Sequence, residues 1–449
     1  MGVTVKVPMP PPDWAAILHG EGRDRIFSAM VGADLDDSAY LPWDKVRYRT
    51  PPAGLTAQEF WAALKLRRQS GLRTVSLLSK DGKAFSYTLT DHLLRRCEEI
   101  AARASGTISM PELAVSQGDR DRYVVSSLIE EAITSSQLEG ASTSRRVAKE
   151  MLVSGRRPVT RSERMILNNY RAMERIREVT EERLTPELVL ELHRIVTDGT
   201  LDDPEDAGRL QQESDERVRI FGDDDQILHV PPPAAELADR LQALCRFANG
   251  EDGDTAYLPA PLRSIVLHFM VGYDHYFADG NGRTARILFY WSMLRQGYWV
   301  TEYLTVSRIL KNAPARYPGA YLLTEDDDGD LTYFLTFHVD VCTRALDDLQ
   351  RHLQRKSAEL RDMRALLDRR SNDFNPRQLA ALESALRDPQ SEFTVHGHAT
   401  THRISGETAR VDLLGLEEAG LFVRSRRSKS YVWRPAGDAG RVVEIAADE

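Results

Sequence analysis

A chain of 449 residues exceeds what one hydrophobic core usually organises, so two or three domains are expected. With 42% hydrophobic and 28% charged residues, the composition excludes a disordered or fibrous chain. A net charge of −9 excludes bulk attraction to nucleic acid, although a local basic patch remains compatible with it. No apolar run approaches the roughly 20 residues that span a bilayer, and the stretch from Pro8 to Asp13 lacks the order of a secretion signal, so no membrane association and a cytoplasmic location are expected. Cys97, Cys245 and Cys342 are too few and too scattered for a disulfide framework or a thiolate metal site.

The first ninety residues read as a small α+β region. Alternating runs at 74–78 and 84–89 flank Asp81-Gly82, which predicts a β-hairpin. From Asp91 the spacing turns helical, with Leu93, Leu94, Cys97 and Ile100 on one face and Val124, Leu128 and Ala132 on another, defining a helical region over 91–200. Between 202 and 233 the run Arg217-Val-Arg-Ile-Phe and the closing Pro231-Pro-Pro predict a second hairpin and a loop. Helical periodicity resumes over 234–249, 261–276, 282–297 and 331–367, completing a core over 201–367. A polar stretch at 368–373 reads as a linker. Beyond it, over 373–436, come a helix, a short segment near Thr394–Thr401, a helix capped by Ser405 and closed at Gly420, and two strands around a basic turn. That order resembles a winged helix, and Arg424, Arg426, Arg427 and Lys429 in the turn suit DNA phosphates, a protein partner or plain solvent.

The most informative segment is His275-Tyr-Phe-Ala-Asp-Gly-Asn-Gly-Arg-Thr-Ala-Arg286, set between two apolar helical stretches. Gly280 and Gly282 permit a tight turn and a close approach to a ligand, and a helix starting near Gly282 offers free amides to an anion. Arg283 and Arg286, three apart, can converge on phosphate oxygens. Asp279 is a hard oxygen ligand for a magnesium ion already bound to phosphates, and His275 can take a proton near neutral pH. Each residue alone has a plainer reading as a packed histidine, a turn or a solvated face; the combination in this order does not.

These residues resemble the signature of the Fic family, His-x-Phe-x-(Asp or Glu)-Gly-Asn-Gly-Arg-x-x-Arg, at every defined position, with Tyr276 where the family usually has proline. The resemblance implies a mainly α fold, a Fic-type helical bundle with a β-hairpin flap. It implies an ATP-dependent protein adenylyltransferase acting on a serine, threonine or tyrosine hydroxyl, with Mg2+ or Mn2+ at Asp279 and His275 as base. Gly280, Asn281, Gly282, Arg283, Thr284, Ala285 and Arg286 would hold the phosphates, Tyr317 would neighbour the base, and Val218, Arg219, Ile220 and Phe221 would lie in the flap that pairs with the target. Ser135-Ser-Gln-Leu-Glu139-Gly140 resembles the family's inhibitory pattern, which implies a helix in the same chain whose Glu139 competes with the γ-phosphate for Arg286. Dimers are common in the family. Removal of AMP, transfer of phosphoryl or phosphocholine on the same loop, and a nucleotide-sensing DNA-binding regulator stand as alternatives.

Overall fold

The computed structural model describes residues 7–32, 35–105, 117–222, 226–251, 253, 257–369, 374–387, 391–427 and 430–436. The chain divides into two compact units, the first made of 1–109 and 121–349 and the second of the remainder. The division falls inside a long helix, not at the polar stretch 368–373, because helical periodicity runs unbroken from Thr332 to Arg369 and polarity alone does not stop a helix. The stretches 1–90, 91–109, 121–200 and 201–349 share the first unit.

In that unit the N-terminal part holds α1 (Trp14–Leu18), α2 (Arg23–Val31), α3 (Trp43–Val46) and α4 (Ala57–Gln69), followed by the expected hairpin of β1 (Leu72–Leu78) and β2 (Ala84–Thr88). Thr56 and Glu59 form a capping box that starts α4, and Ile26, Trp43, Val46 and Trp61 make a local core. This part is no free-standing extension. Lys65 pairs with Asp327 at 2.7 Å and Tyr40 donates to Asp330 at 2.6 Å, all four residues buried. Breaking either pair would strand a charge out of water.

Helices α5 (Asp91–Ala104), α6 (Gln117–Leu138), α7 (Arg145–Ser154), α8 (Arg161–Glu178) and α9 (Pro186–Thr197) follow. Threonine or serine caps start most of them: Thr90, Ser144, Thr160 and Thr185 each accept from an amide three residues on, and Pro186 occupies the first turn of α9, where its missing N–H costs nothing. Then come the short strands β3 (Ile220–Phe221) and β4 (Ile227–His229) and the helices α10 (Leu237–Ala248), α11 (Ala260–Asp274), α12 (Asn281–Arg295), α13 (Val306–Lys311), α14 (Arg316–Asp326) and α15 (Thr332–Arg369). Helices α11 and α12 are buried on nearly all sides, as expected of the central members of a bundle, and pack on each other, with α8 and α9 against α12 and α10 against α11. The turn joining this central pair is the segment singled out by its sequence. No described helix is long and apolar enough to cross a membrane.

The second unit holds α16 (Pro376–Arg387), α17 (Val395–His402), α18 (Gly406–Glu418), β5 (Phe422–Arg427) and β6 (Ser430–Pro435). Ser405 caps α18 by accepting from Thr408 N, and Gly420 takes a φ of 70° just beyond it. Leu382, Leu413, Leu416, Phe422 and Trp433 form its core, and buried Asp412 holds Arg377 at 2.7 Å. Arg424 and Arg426 are exposed; Lys429 and the Arg427 side chain lie outside the described residues.

Candidate active site

Helix α11 stops at His275, whose backbone is left-handed (φ 50°, ψ 58°), and α12 starts after Gly280, also left-handed at φ 85°. Between them the backbone carbonyls are tied from behind. Arg217 donates to Asp274 O at 2.5 Å and to His275 O at 2.7 Å, and the amide of Gln211 donates to Tyr276 O at 2.9 Å. Asn281 spans the turn, donating to Phe277 O at 2.7 Å and accepting from Phe277 N at 3.0 Å. His193, on α9, lies 2.9 Å from Asp279 O. Gly280 is required twice over, by its φ and because a Cβ there would come within 2.7 Å of Thr197 Cγ2.

With the carbonyls held back, the first amides of α12 face the concave side of the turn, a site that attracts anions. Both arginines border it and both are buried. Arg283 donates to Val196 O at 2.7 Å, keeps Asp279 Oδ2 at 3.6 Å, and has no hydrogen-bond partner for Nε or Nη2. Burial pulls its pKa below the usual value, and the Asp279 carboxylate opposes that shift. Arg286 donates from Nε to Ser135 Oγ (2.8 Å) and from Nη2 to Ser135 O (3.0 Å) and Glu139 Oε1 (2.8 Å), leaving Nη1 without a partner. Burial works against its charge, yet the Glu139 carboxylate keeps the guanidinium above its ordinary range. Glu139 meets Arg286 through one oxygen and one donor nitrogen, while Ser135 accepts from Nε and from that same Nη2. The Glu139 carboxylate reaches over the start of α12, so closely that a Cβ at Gly282 would collide with Oε1, and Gly140 turns the chain away at φ 89°.

His275 donates from Nδ1 to Gly272 O at 2.8 Å, since a carbonyl can only accept. That bond fixes the tautomer and leaves Nε2 with a lone pair and, among the described residues, no partner. Burial pushes the imidazole down to about 4, the carbonyl of Gly272 offsetting part of the shift. The ring is therefore neutral at physiological pH and able to accept a proton.

Asp279 is half exposed, with Oδ1 accepting from Gly280 N and Oδ2 lying 3.6 Å from Arg283 Nη2. No group of three or more potential metal ligands occurs among the described residues. A magnesium ion carried in on phosphates needs no more than one carboxylate with waters, so the donor at Asp279 fits that ion. Thr284 has a buried hydroxyl without a partner and Ala285 is wholly buried, so Ala285 offers a ligand only its backbone. Tyr317, on α14, places its hydroxyl 2.8 Å from His268 Nε2, and its partly buried ring packs among Tyr321, Phe337 and His338.

The paired part of the expected flap is shorter than the sequence suggested. Only Ile220 and Phe221 lie in a strand, opposite His229 and Ile227, with an irregular register between them. Val218 and Arg219 precede it, because Arg217 is drawn off to Pro232 O and the end of α11. The flap is strapped at both roots to the last turn of α11: Arg217 before β3 holds Asp274 O and His275 O, and His229 at the end of β4 donates to Tyr273 O at 2.7 Å.

Sequence reasoning missed His193, the capping by Arg217, and a set of buried imidazoles below the site. His338 is buried among His268, Phe334 and Phe337, and burial pushes it down to about 3, with His193 at about 4 and His268 well below its usual value. Each folded-state pKa lies below the unfolded value, so each contribution to stability is present above about pH 6.5 and is lost as pH falls toward 4 and 3. Buried acids such as Asp326, held up at about 6 by burial, act in the opposite sense, so a difference is the useful readout. His338→Leu is expected to gain on the order of 1 kcal/mol per pH unit relative to the unaltered chain below about pH 6. Thermal unfolding of both proteins between pH 7.5 and 4.5 checks this; parallel curves would show that His338 does not titrate on unfolding.

The turn thus joins a neutral imidazole at the end of one central helix to the uncapped start of the next. Residues 183–293 match the family model described as the Fic/DOC family. The chain is similar to the "Protein adenylyltransferase Fic" of Drosophila melanogaster, 30% identical over 160 residues, which is 35% of this chain and 28% of that protein. It is also similar to the protein of the same name from Drosophila ananassae, 29% identical over 170 residues, 38% of this chain and 30% of that one. The match thus spans less than a third of the length of these curated relatives. Among solved structures, a Fic family protein from Desulfovibrio desulfuricans G20 shares the fold with a TM-score of 0.51 at 19% identity, over 79% of this chain and 98% of that one. Residues 183–293 of this chain are a Fic domain.

Proposed function

We propose that the protein transfers AMP from ATP to a hydroxyl group of a protein target, with Glu139 holding the activity down. The observation that carries this reading is the set of unpaired donors at the start of α12, namely its first amides, Nε and Nη2 of Arg283 and Nη1 of Arg286, together with the free Nε2 of His275 at the end of α11. Buried guanidinium N–H groups without partners are costly, and phosphate oxygens satisfy them. The relatives named protein adenylyltransferase supply the choice among phosphate compounds.

In this reading the triphosphate lies along the start of α12, with the α-phosphorus beside His275. Nε2 takes the proton of the target hydroxyl, that oxygen bonds to the α-phosphorus, the bond to the bridging oxygen breaks, and pyrophosphate leaves. The negative phosphates raise the proton affinity of the imidazole from its low resting value as they arrive. A magnesium ion at Asp279 would neutralise phosphate charge. Arg283 and the amides hold the oxygens on which charge develops, so most of the acceleration is positioning and electrostatics. Exposed Phe221 and Ile227 present an apolar flap surface to an extended target segment. For the second unit, the order α16, α17, α18, β5 and β6 supports the winged-helix reading.

Incubation with ATP labelled at the α-phosphate, and in parallel at the γ-phosphate, tests the proposal. Only the α-label is expected on protein. Incorporation of the γ-label alone would replace AMP transfer by phosphoryl transfer.

A further inference from the structure

His193 is fully buried, and its ring stacks face to face on Phe277, with centroids 3.6 Å apart and planes 6° from parallel. Its two nitrogens are committed in opposite senses. Nε2 lies 2.9 Å from Asp279 O, which can only accept, and Nδ1 lies 2.9 Å from Gly208 N, which can only donate. One neutral tautomer, with the proton on Nε2, satisfies both. Burial keeps the ring in that neutral form.

The bond to Asp279 O has a consequence one peptide further on. In a trans peptide the carbonyl and the following N–H point in opposite directions, so holding Asp279 O back toward α9 sets the direction of the Gly280 N–H. That N–H is donated to Asp279 Oδ1. The direction of the Asp279 carboxylate therefore depends on His193 through two successive hydrogen bonds. The other carbonyls tied from behind are those of Asp274, His275, Tyr276 and Phe277. Among the described residues, His193 is the group outside the turn that fixes Asp279 O.

We propose that His193 is a positioning residue that orients the Asp279 carboxylate toward the metal-bound phosphates of the nucleotide. This rests on the reading of the turn as a magnesium–ATP site. His193 touches neither nucleotide nor target.

The test uses the full chain with Glu139→Gly as background and compares His193→Phe, which keeps the stacked ring and loses both hydrogen bonds, with His193→Gln, whose amide can accept and donate. Calorimetry measures ATP binding with magnesium and with a chelator, labelling measures the magnesium concentration for half-maximal transfer, and thermal unfolding reports on folding. For His193→Phe, affinity for ATP with magnesium is expected to fall at least about tenfold and the half-maximal magnesium concentration to rise by a similar factor, with chelated ATP binding unchanged; His193→Gln should recover to within about threefold. If His193→Phe does not fold, His193→Asn, too short to span both partners, carries the same expectation. A folded variant with unaltered magnesium dependence, or equal losses with and without magnesium, overturns the proposal. If the background protein transfers no AMP, the calorimetric comparison still decides the role of His193, so failure of the two readings is told apart.

Discussion

Replacing Glu139 with glycine is expected to raise incorporation of the α-label by about 10- to 100-fold. The estimate follows from the contact removed. Glu139 follows the end of α6 at Leu138 and meets the helix only through its backbone amide, whereas its carboxylate accepts from Arg286 Nη2 at 2.8 Å and covers the start of α12. A hydrogen bond between charged groups contributes about 1.5–3 kcal/mol, and a nucleotide that must displace it loses that amount from productive binding. The variant should bind ATP more tightly and retain its fold, since Ser135 still holds Arg286 by two bonds. Glu139→Gln, which removes the charge and keeps the shape, should fall between the two. Measured rates that stay flat across the three proteins would mean that the carboxylate does not compete with ATP.

In the same background, His275→Ala is expected to lower the rate of transfer by about 10² to 10⁴ while the affinity for ATP changes by no more than about threefold, the range typical of losing a positioned general base. The carbonyls of Asp274, His275 and Tyr276 stay tied by Arg217 and Gln211 whatever the side chain, so the loss should be one of chemistry. The pH profile offers an independent check. A solvated histidine would bring the rate down near pH 6.5, whereas burial holds this imidazole at about 4, so kcat/KM should stay level down to about pH 5 and fall below it. A fall centred near 6.5 would place the titrating base elsewhere, and equal loss of ATP affinity and rate in His275→Ala would make the histidine a binding residue.

The part of the site that could be read from the chain is the part written in consecutive residues. Asp279, the glycines and the two arginines follow one another at a helix start, and Ser135 and Glu139 are one turn apart on a single helix. The helices were legible for the same reason: their caps and apolar spacing are local. What could not be read depends on pairings across long separations. His193 meets Asp279 over 86 residues, and on its own helix it looks like any histidine beside apolar neighbours. Arg217 seemed to open the flap because it precedes alternating residues, yet its guanidinium is spent on the end of α11. The union of the N-terminal part with the core through Lys65 and Asp327 left no local trace either, since any surface lysine has the same appearance in sequence.

The straps on the flap couple it mechanically to the end of α11. Its two roots, Arg217 and His229, grip three successive carbonyls, those of Tyr273, Asp274 and His275. Flap and imidazole are thus members of one stiff lever, and the compliance left to the flap lies in the ribbon outward of those two side chains. An opening confined to that ribbon leaves the base where it is. A larger swing must either tear one of these bonds or carry the histidine with it, so beyond the ribbon the flap and the base move together while the straps hold.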